Sequence, residues 1–320
     1  MKLYPQDYEG HLWGIVLAGG DGRRLQPFIQ DRFGCNRPKQ YCTFFGVDSM
    51  LRRTIHRAEM LIPAARLLTV VTRPHLTYAR SDLADRPHGK VIVQPSNCET
   101  GPGILLPLMH VAQRDPQAVV ILFPSDHFVH ETKRFMHMVE AVAQFVRRHP
   151  ERLALLGVQP SYPEVDYGWI EMGTKLSQAG DQPVHSVTRF WEKPSLPQAQ
   201  EFFAKGYLWN TMVLAGRAET FLTLFRQQTP DLVDIFAPLQ PHLGTPSEAQ
   251  ILNTIYAHLP SINFSKAILT QSVSQLAVLH ADRLHWSDWG DARRLQQDLR
   301  RFRLEEDIRW KHITASYTVR

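Results

Sequence analysis

The sequence predicts an α/β fold in which helices flank a mixed, mostly parallel sheet. Short apolar, β-branched runs alternate with amphipathic segments through the first half of the chain. A glycine-rich loop directly follows the first of these runs, and Pro- and Gly-bearing loops separate the strand-like segments of the second half. Short buried strands that alternate with helices are typical of parallel sheets covered on both faces.

The first half alternates strand and helix signals in a regular order. Its predicted strands are short apolar runs, and its predicted helices carry apolar residues at spacings of three and four. The predicted strands are Trp13–Ala18, Leu67–Thr72, Lys90–Gln94 and Ala118–Phe123, and the predicted helices are Ser49–Leu61, Gly103–Arg114 and Glu131–Arg148.

The second half indicates that further strands join the same sheet. The predicted strands are Leu153–Gly157, Tyr167–Met172, Val184–Trp191 and Gln275–His280, and the predicted helices are Pro197–Lys205, Arg217–Phe225, Ser247–His258 and Gly290–Arg303. We expect one domain over residues 1–300 and a short C-terminal tail over residues 301–320. The weak alternation of that tail favours a strand remnant.

Composition narrows the class of protein. With 320 residues, 43% hydrophobic and 21% charged, the chain reads as an ordinary globular protein. The net charge of +5 mildly favours anionic ligands. The densest basic runs, Arg293–Arg303 and Arg147–Arg152, fall on predicted helices, so we interpret them as solvated helix faces and expect no nucleic-acid partner.

Cysteine usage and hydropathy indicate a cytoplasmic protein without a membrane partner. The three cysteines form no CxxC pair, which argues against a disulfide framework or a structural zinc site. The N-terminal segment has no apolar signal core, and no apolar run approaches the roughly 18 residues that a membrane-spanning helix needs.

The glycine-rich loop at Leu17–Leu25 is the first candidate for binding chemistry. Its glycines let backbone N–H groups approach an anion closely, and Arg24 adds a guanidinium that can grip phosphate. Ligands of open α/β sheets bind beyond the carboxyl ends of the strands, where this loop lies. A tight turn that is merely glycine-rich remains the alternative.

Two better-known phosphate loops are excluded. A dinucleotide-binding fingerprint needs a third glycine where Leu25 stands, so an oxidoreductase with a dinucleotide fold is disfavoured. A P-loop needs Ser or Thr after Gly-Lys, but Gly89-Lys90 is followed by Val91.

Charged residues follow the loop and the fourth predicted strand. Lys39 stands next to a rigid proline and could reach the same phosphates, although most lysines are solvated surface residues. Asp126 follows the fourth predicted strand directly, where a carboxylate suits Mg²⁺ held with phosphates and water. A helix-capping or loop aspartate is the alternative interpretation of Asp126.

Taken in order, several segments resemble the sugar-nucleotide pyrophosphorylase family, and within it the mannose-1-phosphate guanylyltransferases. The matching segments cover most of Trp13–Asp291 and are LAGGDGRRLQP, RPKQY, QPSNCETGPGI, FPSDHFV, YGWIEMG, FWEKP, YLWN and WSDWG. Their joint order is more specific than any one of them.

The resemblance implies a Rossmann-like, GT-A-like nucleotidyltransferase fold. It also implies an Mg²⁺-dependent reaction in which GTP and mannose 1-phosphate give GDP-mannose and pyrophosphate. The oligomeric state stays open, with a homodimer as one expectation.

The resemblance also implies roles for individual residues. The triphosphate would lie on Leu17, Gly19, Gly20 and Gly22, with Arg24 and Lys39 neutralising its charge. Lys193 would contact the phosphate of the sugar. Gln94, Pro95 and Thr100 would contact the base, Gly168, Glu171, Glu192 and Asn210 the sugar, and Asp126 and Asp288 the metal.

Three departures from the family pattern bear on specificity. Cys98-Glu99-Thr100-Gly101 stands where the family usually has basic-Asn-Thr-Ala, Thr211-Met212 replaces Ser-Gly, and Asn263 replaces an aspartate. The stretch between Pro27 and Pro38 is also longer than usual. These departures leave two alternatives open, namely the same reaction with another base or sugar, and a non-catalytic regulatory paralogue that binds a sugar nucleotide.

Overall fold

A nine-stranded sheet organises the computed structural model, which describes residues 10–304 except 88 and 181. The strands in chain order are β1 Leu12–Leu17, β2 Leu67–Thr72, β3 Val91–Gln94, β4 Val119–Pro124, β5 Phe128–Val129, β6 Leu153–Val158, β7 Gly168–Ala179, β8 Gln182–Glu192, β9 Leu208–Arg217, β10 Leu276–Ala281 and β11 Trp286–Ser287. The helices are α1 Gln26–Phe33, α2 Met50–Glu59, α3 Leu76–Asp82, α4 Thr100–Arg114, α5 Thr132–Arg148, α6 Leu196–Ala204, α7 Ala218–Gln228, α8 Pro230–Phe236, α9 Glu248–Tyr256 and α10 Ala292–Arg301.

The main sheet has the strand order β3-β2-β1-β4-β9-β6-β10-β8-β7, and β5 pairs with β11 in a separate ribbon. The strands of the first half, β1 to β4, are parallel to one another. Strand β9 runs antiparallel between β4 and β6, and β7 and β8 add an antiparallel edge. The predicted fold class, a mixed and mostly parallel sheet flanked by helices, is confirmed.

Helices cover both faces of the sheet because the central strands are apolar on both sides. Ile15 and Val16, neighbours on β1, are both fully buried and belong to different cores. Val16 packs in the core that holds Phe145 of α5, and Ile15 packs in the core that holds Ile104 of α4. Period-two alternation along a strand explains this division.

The register of β1 and β4 positions the candidate site. Leu17 pairs with Pro124, so both strands end at the same edge of the sheet. The Ser125 N–H donates to the Leu17 carbonyl at 3.1 Å, which joins the two loops that follow. The glycine-rich loop and Asp126 therefore emerge side by side.

Several elements differ from the sequence predictions. Helix α1 fills part of the long stretch between Pro27 and Pro38, for which no helix or strand was predicted, and β9 was not predicted at all. Helix α4 begins at Thr100 rather than Gly103, because a proline is tolerated in a first helical turn. Strand β7 continues to Ala179, well past its predicted end at Met172.

Of the predicted C-terminal tail, residues 301–320, Arg301 still belongs to α10 and residues 305–320 lie outside the described residues, so the strand remnant and the domain division stay predictions. Across the described part of the chain, no helix combines the length and apolar character that crossing a membrane requires.

Candidate active site

The glycine-rich loop rests on the Lys39–Tyr41 turn. Gly22 has a φ of 61°, and a Cβ on it would lie 3.0 Å from the Lys39 backbone nitrogen. Gln40 donates through Nε2 to the carbonyls of Ala18 at 3.0 Å and Gly20 at 2.7 Å. Only glycine fits the left-handed conformation and the close approach at position 22, so the loop and Lys39 form one unit.

Lys39 lies between the two carboxylates that were predicted to hold a metal. Its buried Nζ is 3.0 Å from Asp126 Oδ2 and also donates to the Asp288 carbonyl. Burial opposes ionisation of Asp126, but the Lys39 ammonium holds the pKa of its carboxyl below the ordinary value. The negative charge of Asp288 acts on Asp126 in the opposite sense, so the carboxylates are close enough to repel each other.

Four donors surround the Asp288 carboxylate. Oδ1 accepts from the Tyr167 hydroxyl at 2.5 Å, the Gly290 N–H at 2.8 Å and Arg294 Nη1 at 3.1 Å, and Oδ2 accepts from Arg24 Nη2 at 3.0 Å. Burial alone would raise the pKa of Asp288, but the charges of Lys39, Arg294 and Arg24 and the hydrogen bond from Tyr167 lower it to about 2. Asp288 is therefore ionised at neutral pH.

Arg24 is the more accessible cation of the site. Its Nη1 lies 2.5 Å from Asp166 Oδ2 while its Nη2 contacts Asp288, and about half of its side chain remains exposed. The guanidinium can therefore meet an incoming anion without a large movement of the loop, by exchanging the half-exposed Asp166 for that anion.

Arg294 is a member of the site that sequence reasoning missed. Interpreting the whole run Arg293–Arg303 as a solvated helix face is wrong at this position, since Arg294 is 8% exposed. It lies on the inward stripe of α10, where Nη1 is 3.0 Å from Glu164 and Nε is 2.6 Å from Asp291. A basic composition cannot show which residue of a helix faces inward.

A cavity of about 340 Å³ opens between the glycine-rich loop and the start of α4. Of the predicted residues, those that line it are Leu17, Gly19, Gly20, Gln94, Thr100 and Asp126. Lining residues that were not predicted include Gln40, Asn97, Glu99, Gly103, Ser125, His127 and Met212. Pro95 follows β3 and is not part of the lining. Gly22 is not part of it either, but packs against the Lys39 backbone.

The cavity wall is braced by hydrogen bonds to distant segments. The buried Gln94 side chain accepts a hydrogen bond from the Tyr256 hydroxyl at 2.8 Å. Thr100 Oγ1 accepts from the Phe264 N–H at 2.8 Å. Both polar groups are thus held in fixed positions before any ligand arrives.

Three of the four residues predicted to contact sugar come together beside this cavity. A Cβ on Gly168 would lie 3.0 Å from Glu192 Oε2 and 3.2 Å from the Asn210 Cβ. Burial raises the pKa of Glu192, Lys193 lowers it and Glu99 raises it further. Lys193, next to Glu192, is exposed, with a φ of 51°.

Glu171 is not brought to this group. In the β7–β8 ladder Gly168 pairs with Glu192, whereas Glu171 pairs with Arg189. Residues three apart on a regular strand face opposite sides of the sheet. Glu171 instead lies near the Tyr207 hydroxyl, where burial and this carboxylate raise the pKa of Tyr207.

The three departures from the family pattern meet along one wall. Asn263 Nδ2 donates to Glu99 Oε2 at 3.2 Å, and the Ser265 hydroxyl donates to Met212 Sδ at 3.1 Å. Glu99 and Met212 both have positive φ angles, 69° and 55°, and both line the cavity. Segments far apart in the sequence therefore shape the same surface.

The carboxylates suit a metal that is bound together with phosphates. Among the described residues, no three His, Cys, Asp or Glu side chains gather in a way that could hold a metal ion. Magnesium commonly takes only one or two carboxylates and completes its shell with phosphate and water oxygens. Asp126 and Asp288, both ionised and both beside Lys39, satisfy that requirement.

Comparison with protein families gives one match over most of the chain. The family model described as Nucleotidyl transferase matches residues 13–300. Curated relatives include a mannose-1-phosphate guanylyltransferase of Klebsiella pneumoniae, 26% identical over 281 residues that cover 86% of this chain and 57% of the relative. Another of that name, from Escherichia coli strain K12, is 26% identical over 238 residues that cover 73% of this chain and 46% of the relative. The chain thus spans about half the length of these relatives.

Solved structures show the same fold. The crystal structure of mannose-1-phosphate geranyltransferase from Thermus thermophilus has a TM-score of 0.73 and 27% identity, with coverage of 89% of this chain and 78% of that one. A structure of mannose-6-phosphate isomerase from Helicobacter pylori has a TM-score of 0.68 at 20% identity, with coverage of 87% and 99%, and supports the fold alone.

Proposed function

The chain belongs to the nucleotidyl transferase family, and on that premise we propose that it joins a nucleoside triphosphate to a sugar 1-phosphate. The preferred pair is GTP and mannose 1-phosphate, giving GDP-mannose and pyrophosphate. The names of the Klebsiella and Escherichia relatives support this pair. The observation that carries the proposal is Lys39, buried between Asp126 and Asp288 under the glycine-rich loop.

The proposed reaction needs no covalent protein nucleophile. A phosphate oxygen of the sugar 1-phosphate attacks the α-phosphorus, one P–O bond forms, the opposite P–O bond breaks, and pyrophosphate leaves in line. The protein contributes position and charge. Arg24 and Lys39 neutralise the triphosphate, and Lys193 neutralises the attacking phosphate. Fixed cations of this kind supply several kcal/mol of transition-state stabilisation.

Mg²⁺ is the proposed cofactor, with Asp126 and Asp288 as its protein ligands. When bound with the triphosphate, it would supply positive charge against the departing pyrophosphate. Asp126 has the more available carboxylate, because a third of its side chain is exposed and its close ion pair is with Lys39. Asp288 Oδ2 is held by Arg24, which would pass from this carboxylate to a phosphate oxygen.

The departures at Glu99, Met212 and Asn263 favour a second candidate, a non-catalytic paralogue that binds a sugar nucleotide and regulates a partner. Since all three lie along the same cavity wall, they could alter which base or sugar is accepted, or remove turnover altogether. The charged groups argue for turnover, because Arg24, Lys39, Asp126 and Asp288 remain together. A cytoplasmic location and a homodimer stay predictions of the sequence.

The decisive experiment measures pyrophosphate release with four nucleoside triphosphates against a panel of sugar 1-phosphates, with Mg²⁺ or with EDTA. Turnover with GTP and mannose 1-phosphate, lost in EDTA and in Asp126→Asn and Asp288→Asn, supports the proposal. Asp282→Asn, an exposed aspartate away from the cavity, is the matched control and should keep full activity. Turnover only with another pair would overturn the specificity, and sugar-nucleotide binding without any turnover would favour the paralogue.

A further inference from the structure

A second cavity of about 450 Å³ lies between α2 and β5. Helix α2 contributes Arg53, His56 and Arg57 to its lining, and the β5 segment contributes His127 and His130. His127 lines both this cavity and the one beside the glycine-rich loop. The volume falls within the range of small-molecule sites, which is roughly 300–1,000 Å³.

Arg57 is the unusual member of this lining. It is 6% exposed, and its Nη2 donates to the Thr54 hydroxyl at 3.0 Å. Its Nε has no hydrogen-bond partner, and no carboxylate within the described ranges forms an ion pair with it. The guanidinium also lies 5.3 Å from the centre of the Phe135 ring.

Burial of an unpaired cation is costly, so native proteins usually pair such groups. Burial, with a smaller effect from the charge of Arg53, lowers the pKa of Arg57 to about 10. Two other arginines with buried side chains show the usual solution in this chain, since Arg86 pairs with Glu59 and Arg294 with Glu164. Arg57 departs from this pattern, because it has no such ion pair among the described residues and its side chain lines a cavity.

The other charged residues of the described lining already have contacts of their own. Arg53 donates to the Phe45 carbonyl at 2.7 Å and lies 3.6 Å over the ring of the same residue. Asp48 is the carboxylate of the lining, and it lies 3.3 Å from His56 Nδ1. Among the described lining residues, the one carboxylate is therefore engaged by His56, and Arg57 has no carboxylate partner.

We propose that this cavity is a second anion site, which binds a small molecule carrying a phosphate group through Arg57. The argument stands on the cavity and on the unpaired arginine, independently of the proposed reaction. This site is distinct from the cavity beside the glycine-rich loop. The two cavities are neighbours, because His127 lines both of them.

The test uses the full chain and inorganic phosphate as the probe, with ionic strength held constant by NaCl. Thermal unfolding is followed in an Arg24→Met background, which weakens phosphate binding at the glycine-rich loop. At ten times the dissociation constant, phosphate should raise Tm by about 2 °C. Adding Arg57→Met should abolish this rise, while adding Arg80→Met, which removes an exposed arginine on α3, should leave it intact.

A second readout shows whether the variant is folded. Without phosphate, Arg57→Met should be at least as stable as its parent, because it removes an unpaired buried charge and keeps most of the side-chain volume. If Arg57→Met does not fold, Arg57→Gln takes its place in the same comparison.

Two results would overturn the proposal. One is an equal phosphate response with and without Arg57. The other is no response in the parent protein but a response once Glu305, Glu306 and Asp307 are neutralised to Gln, Gln and Asn. That result would mean that the acidic stretch following Leu304 in the sequence supplies the missing counter-charge.

Discussion

Met212 is held in a backbone conformation that favours glycine, with a φ of 55°. By the resemblance described above, glycine is usual at this position, and here methionine lines the cavity while its sulfur accepts a hydrogen bond from Ser265. The left-handed conformation costs a residue with a Cβ roughly 1–2 kcal/mol. Met212→Ala keeps that strain and loses the packing of the side chain, whereas Met212→Gly loses the packing and relieves the strain.

The two substitutions should therefore rank in an unusual order. Truncating a half-buried methionine to alanine should cost about 1–2 kcal/mol, below the range for a fully buried one. Glycine should be more stable than alanine at this position by roughly 1 kcal/mol, because relief of the strain exceeds the added entropy of the unfolded chain. Urea unfolding with equal m-values measures the difference directly.

Met60 provides the matched control, since it is partly exposed and has an ordinary φ of −62°. There alanine should be more stable than glycine by about 0.5–1 kcal/mol. If Met212→Gly proved no more stable than Met212→Ala, the argument from strain would be refuted. Both Met212 variants also widen the cavity, so they should raise kcat/KM for an N-acetylated sugar 1-phosphate relative to mannose 1-phosphate.

Three further predictions concern the charges around the site. Asp166→Asn should lower KM for the nucleotide by up to about fivefold in steady-state kinetics, with kcat unchanged. The reason is that the half-exposed ion pair between Asp166 and Arg24, which the substitution removes, contributes at most about 1 kcal/mol. Arg294→Met should destabilise the protein by about 3–5 kcal/mol in urea unfolding, since it leaves Asp288 buried with one cation fewer, and Arg294→Lys should recover part of the loss. Burial lowers the pKa of His75 against the raising effect of Asp21, so the unfolded chain takes up the proton first as pH falls below about 6.5. The free energy of unfolding therefore falls on acidification. In urea unfolding, His75→Asn should lose less of this free energy between pH 7 and pH 5 than the wild type.

Much of the parallel half of the sheet could be predicted from the sequence, because its strands are short, apolar and bounded by turns. Strand β2 was predicted residue for residue at Leu67–Thr72, and β1 and β4 to within one residue. Strand order then explains why Asp126 lies beside the glycine-rich loop. Local pattern and topology together were sufficient for this part of the site.

The elements that the sequence did not predict differ in how clearly their residue patterns indicate them. Strand β9 begins with Leu208-Trp209-Asn210-Thr211, in which polar residues interrupt the apolar run, although burial is nearly continuous along the strand. Helix α1 has a usable signal in Pro27, since proline is favoured in a first helical turn. For Arg294, the sequence places Asp288 and Asp291 nearby, but its distant partner Glu164 becomes apparent only in the folded chain.

The departures at positions 99 and 263 acquire a joint explanation only in the folded chain. Read separately, Glu99 adds a carboxylate where the family usually has asparagine, and Asn263 removes one where the family usually has aspartate. The structure joins them by a hydrogen bond from Asn263 Nδ2 to Glu99 Oε2, so one carboxylate still faces one amide. Either substitution alone would have set two carboxylates or two amides against each other. The pair therefore leaves its one negative charge on Glu99, the residue that lines the cavity, which is where a different preference for base or sugar would begin.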